Sequence, residues 1–307
     1  MEPDVDVLRV ESPSHEEVRT QQAAAGSSTD FTPGHVGSFA PSPTVERRRE
    51  LLTRLLWITI VVLTIVGVFA AVVRASFVSK TLVTPIAQRP PLSWADQVSI
   101  RMGTAAKGLT PGSPEVQQIA SYVAGFANRF NSHPVYSLMH LIPGVLILLL
   151  APLQFSRTVR ARHIRLHRWS GRTILVLGVG LMISAFYFGL VNPNVPVLEP
   201  PTIAFFSAVF VYCAIRAYIA IRGGEVARHR EWMIRAYAVL IAIGSVRVVS
   251  LPLGVALPTN DLGIVLIASF WVGWLVTIIA AELWIRYSRR TGIAAGAAAA
   301  HLRANQL

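Results

Sequence analysis

The stretch LLWITIVVLTIVGVFAAVV, residues 55–73, decides the fold class of this chain. It runs for nineteen residues without a charged side chain, and a helix of that length spans about 30 Å, the thickness of a bilayer's hydrocarbon core. Five further long apolar stretches follow it, with no alternating pattern typical of a barrel strand. The sequence therefore predicts an all-α, polytopic transmembrane bundle of six spans, near residues 55–73, 135–155, 173–191, 202–221, 232–253 and 263–285.

The composition agrees with a membrane protein. Hydrophobic residues make up 53% of the chain and charged residues only 14%, against roughly a quarter in soluble domains. The net charge of +12 comes mainly from arginines in short segments between apolar runs, a pattern typical of topology signals and lipid contacts. No RNA-binding or zinc-ligand motif accompanies them. We therefore expect the bilayer and its anionic headgroups as partners, and no nucleic acid; oligomeric state is left open.

The chain divides into a membrane domain and two tails. Residues 47–290 form the predicted six-helix domain, in which residues 74–134 make a long extracytoplasmic loop. Residues 1–46 are rich in Ser, Thr, Pro, Glu and Gly, and are predicted to be a disordered cytoplasmic tail. The C-terminal tail, 291–307, is either a helix extension or disordered. Within the loop, residues 113–129 favour an amphipathic helix at the membrane surface.

Orientation follows from the basic connections. All of them fall on one side of the six spans, whereas residues 192–201 and 257–261 hold no Lys or Arg. The positive-inside rule places the basic side, and with it both termini, in the cytoplasm. The arginines of these connections are Arg47, Arg48, Arg49 and Arg54; Arg157, Arg160, Arg162, Arg165, Arg168 and Arg172; Arg222, Arg228 and Arg230; and Arg286, Arg289 and Arg290.

Ionisable residues within the spans fall into two layers, and the inner layer lies near the basic side. There, His167 and His229 each start an inward-to-outward span. They are either interfacial residues at helix ends or the axial ligands of a b-type haem, with Arg172 or Arg235 meeting a propionate. Glu282 is expected to neutralise Arg235 or Arg172. No other metal site is predicted.

The outer layer holds His140 and Arg247, both at hydrocarbon depth. An unpaired arginine there is costly, so both side chains should face the bundle interior or a wet cavity. His140 would hydrogen-bond a neighbouring carbonyl, or act as a haem ligand, a proton carrier or a quinone partner. Pro143 and Pro152 in the same span favour a bend that shapes such a cavity, and Gln154 near its end is a further buried polar candidate.

Several motifs carry a resemblance. HLIPGVLILLLAPLQF (140–155), LHRWSGR (166–172) and HREWMIRAYA (229–238), followed by Arg247, resemble a family of predicted bacterial multi-pass membrane proteins of unknown function. The resemblance implies a helical protein of the bacterial plasma membrane and no established activity. Its implied signature positions are His140, Gln154, His167, Arg172, His229, Trp232, Arg235 and Arg247.

Three functional hypotheses remain. The first is an electron-transfer component that binds haem b or a quinone, the second is a transporter of a small solute or protons, and the third is a non-catalytic, lipid-organising protein. Whether the protein is an enzyme is left open. The bundle also resembles the core of b-type cytochromes, but only the inner histidine pair would serve one haem. Gly178, Gly180, Ser184 and Gly189 are the small residues expected at helix contacts.

Overall fold

The computed structural model describes residues 43–84, 88 and 92–304, and the predicted N-terminal tail falls outside them up to residue 42. The described residues form nine α-helices and one π-helical turn. They are α1 (Pro43–Thr81), α2 (Trp94–Ala106), α3 (Pro114–Ser132), α4 (Pro134–Phe155), α5 (Arg157–Arg162), α6 (Ile164–Phe186), the π-turn (Tyr187–Val191), α7 (Glu199–Arg222), α8 (Val226–Ala256) and α9 (Leu262–Ala304).

Six helices are long and apolar enough to cross a membrane, which confirms the predicted fold class. They are α1, α4, α6 with its π-turn, α7, α8 and α9, and no strand occurs in the described ranges. Each predicted span lies inside one of these helices. The helices are longer than the predicted spans, because a charged residue ends the apolar stretch without ending the helix. The first span, for example, extends over Glu50–Thr81.

The segment between the first two spans is largely helical. Ser93 caps α2 through a reciprocal bond with Asp96, and Ser113 caps α3 ahead of a proline at the first helical position. The amphipathic helix expected over residues 113–129 is present as α3. It does not lie apart on the surface, because it packs against α1, α2 and α4.

Helix α8 is the centre of the bundle, in contact with α1, α7 and α9, while α4 packs between α1 and α6. The buried residues of α8 run from Ala236 to Val246. Leu148 and Ala151 of α4 meet Tyr237 and Ile241 of α8 in the principal apolar cluster. The outer faces leave large apolar side chains uncovered, which a bilayer would solvate.

Two glycines lie where the backbone of one helix closely approaches the backbone of another. A Cβ at Gly244 of α8 would overlap the backbone carbonyl of Leu63 in α1, and one at Gly273 of α9 would lie 2.8 Å from the Val246 backbone nitrogen. Of the small residues expected at helix contacts, Gly189 does abut Ile203, at 2.6 Å from an added Cβ, whereas a Cβ at Gly178 meets nothing within 4 Å. The expectation for Gly178 was wrong, because its side of α6 packs on no neighbour.

We expect Gly244→Val to lower the free energy of unfolding by about 2–3 kcal/mol, because a side chain would force α1 away from α8. Gly178→Val is the matched control, as it makes the same change in helix propensity in open space. Reversible unfolding in mixed detergent micelles, followed by circular dichroism, measures both. Equal losses in the two variants would contradict the close contact.

The two ends of the bundle differ. The basic end holds the connections at residues 156–163 and 223–225, and the loop end holds residues 82–84, 92–133, 192–198 and 257–261. At the loop end the separate connections touch: Lys107 Nζ donates to the carbonyl of Thr259 and to Asn260 Oδ1. At the basic end Arg289 pairs with Glu231.

Candidate functional site

A cavity of about 320 Å³ lies between the spans, within the range of small-molecule sites. All six spans and α3 line it, and most of the lining is apolar and aromatic. We refer to it as the central cavity. Its polar and charged lining residues are Arg129, His140, Glu199, Ser207 and Arg247.

His140 lines the central cavity from α4 and is bound to α6. Its Nδ1 lies 3.2 Å from Oγ of Ser184, a residue whose side chain is fully buried. The Ser184 hydroxyl donates back to its own helix, 2.8 Å from the carbonyl of Leu181. The histidine is therefore held against α6 by one ring nitrogen, while the ring faces the cavity.

Arg247 lines the same cavity from α8. Its guanidinium has no hydrogen-bond or ion-pair partner in the part of the chain that the structure describes. Arg74 of α1 is near enough to act on it electrostatically, but Asp96 of α2 already neutralises Arg74 through a contact of 2.5 Å. The central cavity therefore contains one uncompensated positive charge, and its chemistry favours an anionic or strongly accepting group.

The loop end of the central cavity is closed by Arg129 of α3. Its guanidinium lies 3.4 Å from Glu199 Oε1 and donates to the carbonyl of Phe188, at 2.7 Å. Glu199 Oε2 also accepts from the backbone nitrogens of Asn194 and Val195, at 2.5 and 3.1 Å. Glu199 is 5% exposed, so this pair is screened from water.

The π-turn supplies one of these contacts. A π-turn shifts the i to i−4 bonding of a helix, and here the Phe188 carbonyl accepts from Arg129 while the Phe188 ring stacks on Phe130 at 4.9 Å. Burial lowers the pKa of Arg129, partly offset by Glu199. Burial and the charge of Glu199 raise the pKa of the nearby Tyr122 to about 12. The Arg129 and Glu199 side chains are therefore largely buried between α3, the π-turn and α7.

The inner layer holds an ion pair between Arg235 and Glu282, one of the two pairings expected. Arg235 Nε lies 2.5 Å from Glu282 Oε1, and Nη2 lies 3.1 Å from Oε2. The guanidinium groups of Arg235 and of Arg216 lie over the ring of Trp232, 4.6 and 5.1 Å from its centroid. None of these residues lines the central cavity.

The two inner histidines are near enough to interact electrostatically. His229 Nδ1 bonds the carbonyl of Ala217 at 2.9 Å, and His167 Nδ1 is buried with no partner in the described residues. Arg172 lies over the exposed ring of Trp169, and Gln154 bonds Oγ of Ser170 at 2.5 Å. The structure thus separates the histidines into an inner pair and His140, which faces the cavity.

Sequence reasoning missed the Arg129–Glu199 pair and the Arg74–Asp96 pair. Arg129 was expected only as the end of a surface helix. The available signal was Glu199, an isolated acidic residue in a proline-rich connection that holds no Lys or Arg. A lone carboxylate beside a membrane span needs a cationic partner, but only the fold identifies which one.

Six apolar helices around a largely apolar cavity define a multi-span membrane protein with a cavity between its spans. The family model described as "Predicted membrane protein (DUF2306)" matches residues 137–285, from within α4 to within α9. The match spans just under half of the chain, and the family is one of unknown function, in agreement with the resemblance seen in the sequence. No curated protein and no solved structure matches the chain.

Proposed function

We propose that the central cavity binds the head group of a lipid-soluble quinone. One observation carries the proposal: Arg247, without a partner in the described residues, shares an otherwise largely apolar cavity with His140. A quinone combines a flat apolar ring with oxygens that accept strong hydrogen bonds from a guanidinium. It also partitions into the bilayer that surrounds the spans.

The cavity wall suits a flat ring. Phe206 and Trp274 line it, with their own rings stacked at 4.2 Å, and Phe270 lies against Trp274 at 5.2 Å. Offset or edge contacts between such rings and a bound ring add to the burial of apolar surface. Trp274 is held in place by a bond from its indole nitrogen to the Val239 carbonyl. The pocket is therefore preorganised before a ligand enters.

Haem ligation by His167 and His229 stays a separate prediction. It does not involve the central cavity, since neither histidine lines it. An absorption spectrum of the purified protein, with and without dithionite, tests it. Transport and lipid organisation also remain alternatives. Transport of a small anion would also use the free guanidinium, but the largely apolar and aromatic wall of the cavity favours a ring-bearing ligand.

We place the protein in a bacterial plasma membrane, with the basic end toward the cytoplasm and in contact with anionic headgroups. Arg172 and the exposed Trp169 at that end have the composition of an interfacial collar. Reporter fusions at the two chain termini test the orientation.

A cavity-filling pair of variants tests the proposed function. Gly144 lines the central cavity, and a Cβ there meets only Leu181, at an ordinary 3.7 Å. Gly144→Leu should therefore fold and lower the affinity for tetramethyl-1,4-benzoquinone by about tenfold or more, because the side chain occupies the ligand's volume. Titration calorimetry in detergent measures this affinity.

Gly178→Leu is the control, since Gly178 lies on another span, outside the cavity and in open space. It should bind the quinone as the unaltered protein does. Absence of binding in the unaltered protein, or equal binding by the two variants, would overturn the proposed function.

A further inference from the structure

The hydrogen-bond chain behind His140 fixes which of its ring nitrogens carries the proton. Ser184 Oγ lies 2.8 Å from the Leu181 carbonyl and 3.1 Å from the Gly180 carbonyl. A carbonyl only accepts, so the single hydroxyl hydrogen points to one of these two oxygens. The Ser184 oxygen is then left as an acceptor for His140 Nδ1, 3.2 Å away.

It follows that His140 is protonated on Nδ1 and carries a lone pair on Nε2. No hydrogen bond to Nε2 is found among the residues that the structure describes, and His140 lines the cavity. Protonating it as well would place a second positive charge near Arg247, in surroundings of low dielectric constant. The central cavity therefore contains one hydrogen-bond acceptor, Nε2 of His140, and the N–H donors of the Arg247 guanidinium.

We propose that the central cavity prefers the reduced, hydroxyl-bearing quinol to the oxidised quinone, with His140 as the residue that determines this preference. The inference rests on the proposed function. A quinol hydroxyl donates to Nε2 and still offers its oxygen to a donor such as Arg247. A quinone carbonyl has no hydrogen to give, so its entry leaves Nε2 desolvated and unpaired.

The quinone is disfavoured because a site with a polar group rejects a ligand that lacks the matching hydrogen-bonding group. Ser184 acts as a positioning residue, because it holds His140 in this tautomer without touching the ligand. The ligand class is therefore a weakly acidic hydroxyl on an apolar ring.

The test compares tetramethyl-1,4-hydroquinone with tetramethyl-1,4-benzoquinone, both titrated anaerobically into the full-length protein in detergent. The quinol should bind about tenfold tighter or more. In His140→Gln the preference should shrink to less than about twofold, because an amide donates as readily as it accepts. His163→Gln, in a basic connection outside the cavity, should keep the full preference.

A second readout is independent of binding. Nitrogen NMR of protein labelled on its eight histidines, with the His140 signals assigned by their loss in His140→Gln, should show Nδ1 protonated and Nε2 bare. Protonated Nε2, or equal affinities for quinone and quinol, would overturn the preference and leave the proposed function standing. Failure of both ligands to bind would overturn both.

Discussion

Arg247→Met should make the protein more stable and less able to bind. We expect the free energy of unfolding to rise modestly, because an arginine without a counter-charge that lines the cavity is replaced by an apolar side chain of similar length. The affinity for tetramethyl-1,4-hydroquinone should fall by about tenfold or more, since a charge-assisted hydrogen bond is lost. Detergent unfolding and calorimetry measure the two quantities on the same preparation.

Arg172→Met is the control. Arg172 lies on the exposed ring of Trp169 at the basic end and does not line the cavity, so neither quantity should change much. A loss of stability in Arg247→Met would mean that the guanidinium has a structural partner. The reading of Arg247 as a ligand-binding group would then be wrong.

Glu199→Gln should be the most destabilising substitution at the loop end. Arg129 and Glu199 have side chains only 10% and 6% exposed, so the variant leaves a buried guanidinium without its counter-charge. Breaking one side of a buried pair costs about 3–5 kcal/mol. The free energy of unfolding, and the protease sensitivity of α3, should both report the change.

Two further variants separate the loss of the buried ion pair from nonspecific destabilisation by a substitution. Glu225→Gln breaks a pair with Arg228 whose side chains are 48% and 69% exposed, so it should cost less than about 0.5 kcal/mol. The double variant Arg129→Met with Glu199→Gln removes both charges, keeps an acceptor for the backbone nitrogens of Asn194 and Val195, and should recover most of the lost stability. A double variant as unstable as Glu199→Gln would argue that the backbone contacts of Glu199 matter more than its charge.

The sequence was informative wherever the free energy of transferring a residue into lipid decides where that residue lies. His140 and Arg247 were expected to face the interior on that ground alone, and both line the central cavity. The six spans followed from apolar length. In each case the relevant physics is a transfer free energy, which can be estimated without knowing any neighbour.

The remaining features depend on pairs of residues that are distant in the sequence. Glu199 and Arg129 are 70 positions apart, and their contact requires α3 to fold over the ends of the spans. The glycine at the closest approach of α1 and α8 is Gly244, but composition gave no reason to prefer it to Gly178. Whether a small residue permits contact depends on which face of the helix meets a neighbour.

The wall of the cavity extends beyond the region that the family shares. Gly67 and Ala71 of α1, and Phe126 and Phe130 of α3, lie upstream of residues 137–285 yet line the cavity. An expression fragment trimmed to the shared region would also strip Glu199 of its arginine. Such a fragment would lack α1 and α3, and with them part of the cavity wall. Assays on it would not describe the intact protein.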